Sequence, residues 1–180
     1  MKRTILVLST SLLLISAAAC AGSSPVGNQA ANTGPASATP ADAKINLKEL
    51  VRASAAPVAL KAGGQAEAEV RLSIADGYHI NANPPTYPYL KATEIEVVPE
   101  QGLSAGEPSY PLALRKKFAF AEDQLAVYEH EAVVKVPLRA EGSARAGART
   151  LRAKVRVQAC DEEKCFPPTS FETTIPVTIN

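Results

Sequence analysis

The chain has 180 residues, with 19 Lys or Arg, 18 Asp or Glu and a formal net charge of +1 at pH 7. This balance argues against nucleic acid as the partner, because phosphate binding needs a net cationic face. Three cysteines and two histidines are present and tryptophan is absent. Only the N-terminus contains a long apolar run, and no later run reaches membrane-spanning length.

Residues 1–19 have the pattern of a secretory signal peptide. Two cations come first, an apolar run follows over about residues 5–15, and small residues precede Cys20. The run is too short for a spanning helix. We therefore expect an exported protein.

Cys20 ends a stretch of small residues that resembles a bacterial lipobox, although Ala17 stands where leucine is commonest. We expect Cys20 to be the lipidated first residue of the mature protein. The alternative is ordinary cleavage near Ala19, which leaves a free thiol in an exported protein. Lipidation uses one of the three cysteines and leaves an even pair.

A linker and one domain are predicted after the signal peptide. Residues 20–43 contain no aromatic residue, no cation and a single acid, so we expect a lipid-anchored flexible linker. Residues 44–180 have the length of one domain.

The domain is predicted to be built from strands. Two segments alternate strictly between apolar and polar residues, which indicates half-buried strands. Three further segments are weaker candidates, and helical periodicity is weak and confined to residues 45–53. The predicted strands cover residues 66–74, 93–98, 131–139, 150–158 and 171–179.

Several short strands separated by turn-forming residues indicate an all-β fold, an immunoglobulin-like antiparallel β-sandwich. Two of the strands contain a proline, Pro137 and Pro176. Because proline has no N–H for a central ladder, we expect these two strands at sheet edges or with bulges.

Cys160 and Cys165 form the pair whose chemistry the sequence leaves open. A structural disulfide is the default in an exported domain, but a loop this short is stabilised by only about 2 kcal/mol in the chain-entropy model. A metal site would need His79 and His130, which are far apart in the chain, so we expect none. Lone histidines of this kind are expected on the surface or in loops.

A reversible dithiol is the third interpretation, because a short loop holds two sulfurs within bonding reach in either oxidation state. Three acids and one lysine separate the cysteines. The acids disfavour a neighbouring thiolate, so these thiols should react slowly until a partner docks.

Four segments together resemble a known family: GYHINANPP from Gly77, LAVYEHEAVVKVPLR from Leu125, QACDEEKC from Gln158 and the following FPP. The chain is similar over about residues 60–180 to the N-terminal domain of the thiol:disulfide interchange protein DsbD, the disulfide bond corrector family. The resemblance implies an immunoglobulin-like sandwich in which Cys160 and Cys165 carry reducing equivalents, with no cofactor.

The resemblance also implies partners and a location. Thioredoxin-like periplasmic proteins would exchange electrons with the pair, including disulfide isomerases and cytochrome c maturation proteins. The membrane-embedded electron donor must be encoded elsewhere. The chain would lie at the periplasmic face of a bacterial membrane, tied to it by the lipid anchor. Cys165, the second cysteine, would be the link to partners.

The family has an aromatic cap loop that shields the disulfide until a partner docks. Val127 and Tyr128 are expected at this cap, while His79 and Phe166 complete the predicted cap or docking surface. If His79 faces the pair, it can accept a proton from an attacking thiol. The spacer has four residues, where the best-known members have five. The competing hypothesis is a non-enzymatic envelope module that binds protein and contains a structural disulfide.

Overall fold

The computed structural model describes residues 46–180; the predicted signal peptide, Cys20 and the linker lie outside these residues. One helical turn and twelve strands form the described part. They are α1 Leu47–Leu50, β1 Val51–Ala55, β2 Val58–Leu60, β3 Gln65–Ile74, β4 His79–Asn81, β5 Glu94–Val97, β6 Leu103–Ala105, β7 Leu114–Lys116, β8 Leu125–Glu129, β9 Glu131–Ala140, β10 Gly147–Val157, β11 Ala159–Cys160 and β12 Thr169–Ile179. Within residues 46–180 no helix is both long and apolar enough to cross a membrane.

All five predicted strands are present, as β3, β5, β9, β10 and β12, with bounds within a few residues of those expected. Their alternation is also observed in the burial of the side chains. Buried and exposed residues alternate along β9, and along β10 from residue 150. The helix suggested by the weak periodicity over residues 45–53 is only partly present, because α1 is a single turn and β1 begins directly after it.

Two sheets pack around one core. Strands β1, β3, β9 and β6 form the first sheet in that order, and β2, β12, β10 and β5 form the second. Apolar side chains of both sheets belong to one buried cluster, among them Leu72, Val134, Val155 and Ile175. The predicted all-β, immunoglobulin-like sandwich is confirmed. Its sheets are antiparallel except for the parallel pairing of β2 with β12.

The expectation of edge strands was wrong for Pro137 and Pro176. The alternative, a bulge, is observed beside Pro137, where three residues of the neighbouring segment, 106–108, face two residues of β9. Strands β9 and β12 each have a neighbour on both sides, and each runs in unbroken register with its long partner. Pro137 lies one residue beyond the ladder with β6, and Pro176 lies one residue before the ladder with β2. Each proline thus lies where a short neighbouring strand ends, and the ladder on that side needs no donor from it.

A third sheet, with the order β11-β4-β8-β7, contains the cysteine pair. Gly77 adopts a φ of 80° in the turn ahead of β4, a conformation that glycine accepts at low cost. At the same end of the sheet, His130 adopts a φ of 59° between β8 and β9. The chain therefore changes sheet at His130, and β8 belongs to the cysteine sheet while β9 belongs to the sandwich.

Replacing Leu72 by alanine tests the core. Leu72 is fully buried in β3, so the variant should lose about 2–5 kcal/mol of unfolding free energy, from lost apolar burial and the cavity that remains. Urea unfolding measures the loss. Ser73→Ala, at an exposed position of the same strand, is the matched control and should stay within about 0.5 kcal/mol of the wild type. Equal losses in both variants would contradict the proposed core.

Candidate functional site

Cys160 and Cys165 are joined by a disulfide, and their Cα atoms are 3.9 Å apart. Cys160 is the last residue of β11 and is fully buried, whereas Cys165 is half-buried. The two residues also form an isolated antiparallel bridge, so the backbone itself brings them side by side. Cys165 is therefore the more accessible member of the pair.

The turn between the cysteines is held by Asp161. Its Oδ1 accepts hydrogen bonds from the backbone N–H groups of Glu163, at 2.9 Å, and Lys164, at 2.8 Å. The Asp161 N–H donates to the carbonyl of Lys164 at 2.9 Å. A short polar side chain that caps its own turn in this way favours the tight conformation. Asp161 therefore has a structural role in addition to its charge.

Lys116 connects the turn to the rest of the third sheet. Its Nζ lies 2.9 Å from the carboxylate of Glu162 in the turn and 2.6 Å from that of Glu129 in β8. The two carboxylates raise the pKa of Lys116, and the hydrogen bond that Lys116 donates to Glu129 is the largest cause. Lys116 thus compensates part of the negative charge beside the cysteines. The spacer acids therefore disfavour a neighbouring thiolate less than the sequence suggested.

His79 lies next to Cys160 in the sheet. The two residues are register partners between β4 and β11, and directly opposite residues of an antiparallel pair project to the same face. The expectation of a surface or loop position is wrong for His79, which is 1% exposed, and right for His130, which is exposed at the end of β8. The difference follows from strand β4, which is buried along its whole length.

Burial determines the protonation of His79. Desolvation lowers its pKa below the ordinary value of 6.5, and the nearby carboxylate of Glu129 opposes this shift. The imidazole is therefore neutral at neutral pH. Its Nε2 is buried without a hydrogen-bond partner within the described part of the chain. A neutral ring of this kind can accept a proton, the role that imidazole chemistry suggested for His79.

An aromatic loop, residues 117–124 between β7 and β8, covers His79. The ring of Phe118 is buried and stacks on the imidazole with 4.0 Å between the ring centroids. Phe120 stacks on Phe118 at 5.4 Å and is 39% exposed. Tyr87 fixes the far end of the loop, because its hydroxyl donates to the carboxylate of Asp123 at 2.8 Å.

The prediction that Val127 and Tyr128 form the cap is corrected by their position. Both lie in strand β8 rather than in a loop, with 0% and 3% exposure, so neither offers a surface to a partner. The Tyr128 hydroxyl donates to the carbonyl of Pro111 and accepts from the N–H of Asn83, each at 3.2 Å. These bonds show a tyrosine that ties β8 to neighbouring loops.

Sequence reasoning missed Phe118 and Phe120, the aromatic residues beside the site. The available signal was the stretch KKFAFAED, in which two aromatic residues stand between cations and acids where a turn is expected. Phe166 is half-buried and packs against the main core; its ring centroid lies 6.2 Å from that of Tyr78. Phe166 therefore supports the exit of the cysteine turn from within.

Residues 46–180 contain no group of three or more Cys, His, Asp or Glu side chains placed to hold a metal ion. His130 pairs instead with Asp76, with 3.5 Å between Nδ1 and the carboxylate. The arrangement at Cys160 and Cys165 is that of a disulfide beside a neutral imidazole and a stacked aromatic pair.

The lowered pKa of His79 predicts a pH dependence of stability. Because the unfolded chain binds the proton more tightly, stability is fully present above about pH 6.5 and falls as pH decreases toward the folded pKa, by at most about 1.4 kcal/mol per pH unit. The folded pKa can be read from an NMR titration of the two imidazoles, since the chain has only His79 and His130.

Matched variants isolate this effect. Urea unfolding between pH 7.5 and about 5 should have a shallower pH dependence in His79→Gln than in wild type, because the titrating buried group is gone. Ser73→Ala, at an exposed position that carries no titratable group, should keep the wild-type dependence. A His79 imidazole that titrates at or above pH 6.5 would contradict the prediction.

Comparison with known proteins identifies the family. The model of the family described as thiol:disulfide interchange protein DsbD, N-terminal, matches residues 48–176. No curated protein sequence matches the chain.

The chain is similar to a number of solved structures, among them the following three. The chain is 23% identical to the DsbD N-terminal domain of Neisseria meningitidis in its reduced form, covering 73% of this chain and 88% of that one, with a TM-score of 0.47. The complex of the DsbD and PilB N-terminal domains from the same organism gives 22% identity, 74% and 88% coverage and a TM-score of 0.47. The N-terminal periplasmic domain of ScsB from Proteus mirabilis is 18% identical, with 69% of this chain and 44% of that one covered and a TM-score of 0.44. Since the family model spans most of the sandwich and includes both cysteines, the chain belongs to the DsbD N-terminal family of thiol:disulfide interchange proteins.

Proposed function

We propose that this protein is a lipid-anchored periplasmic carrier that exchanges electrons with thioredoxin-like partners through Cys160 and Cys165. The observation that carries the proposal is the disulfide itself, with Cys160 buried and Cys165 half-exposed at the edge of the third sheet. Membership of the DsbD N-terminal family supports the same chemistry. The bond joins only the two ends of one turn, so it links no distant parts of the sandwich.

The reduced protein transfers two electrons to a partner disulfide in two steps. The Cys165 thiolate attacks one partner sulfur, forms a mixed disulfide and releases the other partner sulfur as a thiolate. The Cys160 thiolate then attacks the Cys165 sulfur, closes the Cys160–Cys165 disulfide and releases the second partner thiolate. Two electrons pass to the partner, whose thiolates take up the two protons that the cysteines lose. A donor dithiol reverses both steps.

The surroundings of the pair suit these steps. The neutral imidazole of His79, next to Cys160 in register, can accept the proton of the resolving thiol. Phe120, exposed in the aromatic loop, is available for contact with a docked partner. Since Phe118 stacks directly on His79, displacement of this loop would uncover the side of the site that Cys160 occupies.

Membership of the family supports a proposal for the partner and the donor. The N-terminal domain of DsbD from Neisseria meningitidis forms a complex with the N-terminal domain of PilB, and we propose that the present chain likewise docks a separate redox protein. We also propose that a membrane-embedded protein supplies the electrons that reduce the Cys160–Cys165 disulfide.

The two single-cysteine variants should differ in reactivity. Cys160→Ala keeps the accessible Cys165 and should form mixed disulfides with a thioredoxin-like protein at least about tenfold faster than Cys165→Ala, which keeps the buried Cys160. The pairing of Cys160 with His79 is made by the backbone, so burial should persist without the S–S bond. Stopped-flow trapping and non-reducing gels measure both rates.

The redox potential of the wild-type pair separates a carrier from the alternative, an envelope module with a structural disulfide. A carrier should titrate between about −270 and −120 mV, whereas a structural bridge should lie below about −300 mV. A potential below about −300 mV, together with no mixed disulfide from Cys160→Ala, would refute the proposed function.

The lipid anchor is tested separately, at Cys20. Cys20→Ser removes the proposed lipidation site, so the protein should move from the membrane fraction to the soluble periplasmic fraction. Ala21→Ser, at the neighbouring position, is the control and should stay with the membrane. Membrane association that is unchanged in Cys20→Ser would contradict the anchor and leave the thiol chemistry unaffected.

A further inference from the structure

We propose that Gln158 is a positioning residue for the cysteine pair: its side-chain amide holds the two arms of the cysteine loop together in the dithiol state and so sets the redox potential. The cysteine loop is residues 159–166, from β11 to the residue after Cys165. This inference rests on the proposed function, because it concerns how the same two sulfurs are kept ready for exchange.

The amide of Gln158 connects three separate segments. Its Nε2 donates to the carbonyl of Phe166, at the end of the cysteine loop, at 3.1 Å. Its Oε1 accepts from the side-chain amide of Asn81 in β4 at 3.0 Å and from the backbone N–H of Lys91 at 2.9 Å. Gln158 is half-buried, so these bonds are partly shielded from water.

Backbone bonds reinforce the same junction. The N–H of Phe166 donates to the carbonyl of Ala159 at 2.8 Å, and the N–H of Asn81 donates to the carbonyl of Gln158 at 3.2 Å. The groups that make these hydrogen bonds all lie outside residues 160–165, the segment that the disulfide closes. None of these groups changes its protonation when the disulfide is reduced. The junction is therefore available in both redox states.

The junction matters more to the dithiol than to the disulfide. In the oxidised protein the S–S bond already limits the separation of the two arms. In the reduced protein that covalent limit is gone, and the side-chain bonds of Gln158 add to the backbone bonds that restrict the loop. Ordering the dithiol lowers its conformational entropy, which favours closure to the disulfide and lowers the potential.

The same restriction acts on the mixed disulfide. When a partner is bound to Cys165, resolution requires the Cys160 sulfur to remain within reach of it. A loop whose arms are held together presents a high effective concentration of the resolving thiol. Gln158 should therefore shorten the life of the mixed disulfide as well as lower the potential.

Gln158→Leu is the test, since leucine is close in size and makes no hydrogen bond. We expect the equilibrium constant for closing the disulfide to fall about tenfold, which raises the potential by about 30 mV for this two-electron couple. The mixed disulfide formed by a thioredoxin-like protein should live about tenfold longer. Gln101→Leu, at an exposed position in the turn between β5 and β6, is the matched control and should leave both quantities unchanged.

Gln158→Glu is the conservative variant. It keeps an acceptor for the Lys91 N–H but replaces the donor that faces the Phe166 carbonyl, so it should also raise the potential. Circular dichroism establishes that each variant is folded. Folded variants with the potential and mixed-disulfide lifetime of the wild type would overturn the inference, as would a loss of stability in the oxidised form with no change in potential.

The measurement separates this inference from the proposed function. Potentials are determined against dithiothreitol or glutathione and need no protein partner. A wild-type potential in the range of a structural disulfide, combined with a shift in Gln158→Leu, would refute the carrier function and keep the role of Gln158. A wild-type potential in the range of a carrier, with no shift in either Gln158 variant, would keep the carrier function and refute the role of Gln158.

Discussion

The site depends on a short piece of backbone pairing, between β11 and β4. Two residue pairs, Ala159 with Ile80 and Cys160 with His79, attach the cysteine turn to the third sheet. Because β4 is buried along its length, this pairing buries Cys160 as well, while the turn carries Cys165 outward. The unequal exposure of the two cysteines, and hence the order of the proposed exchange, follows from this pairing.

The acidic residues between the two cysteines have structural roles in the fold that the sequence did not indicate. Asp161 binds two backbone N–H groups, and Glu162 is paired with Lys116. Two of the three spacer acids therefore stabilise the conformation of the turn in addition to contributing negative charge. Lys116 also lies 5.3 Å from the ring centroid of Phe118, so a single ammonium links the turn to the aromatic loop.

Local patterns in the sequence predicted the long strands well and the site less well. Strands β3, β9, β10 and β12 were found because alternation of apolar and polar residues is a property of neighbouring positions. Short strands such as β4 and β8 contain too few residues to show a period, and both are buried throughout most of their length. The sequence therefore pointed to Tyr128, which the fold buries, and gave no sign of the exposed Phe120.

The sequence by itself determined that the domain is an all-β sandwich, and that a turn ending in Phe-Pro-Pro holds the cysteine pair close. Both are local properties of the chain. Only the tertiary structure decided what surrounds the pair, because each contact joins residues far apart in sequence. Asn81 and Gln158 are 77 positions apart, and Lys116 and Glu162 are 46 apart. Burial of His79 likewise requires β8 and β11 on either side of β4, which no local pattern contains.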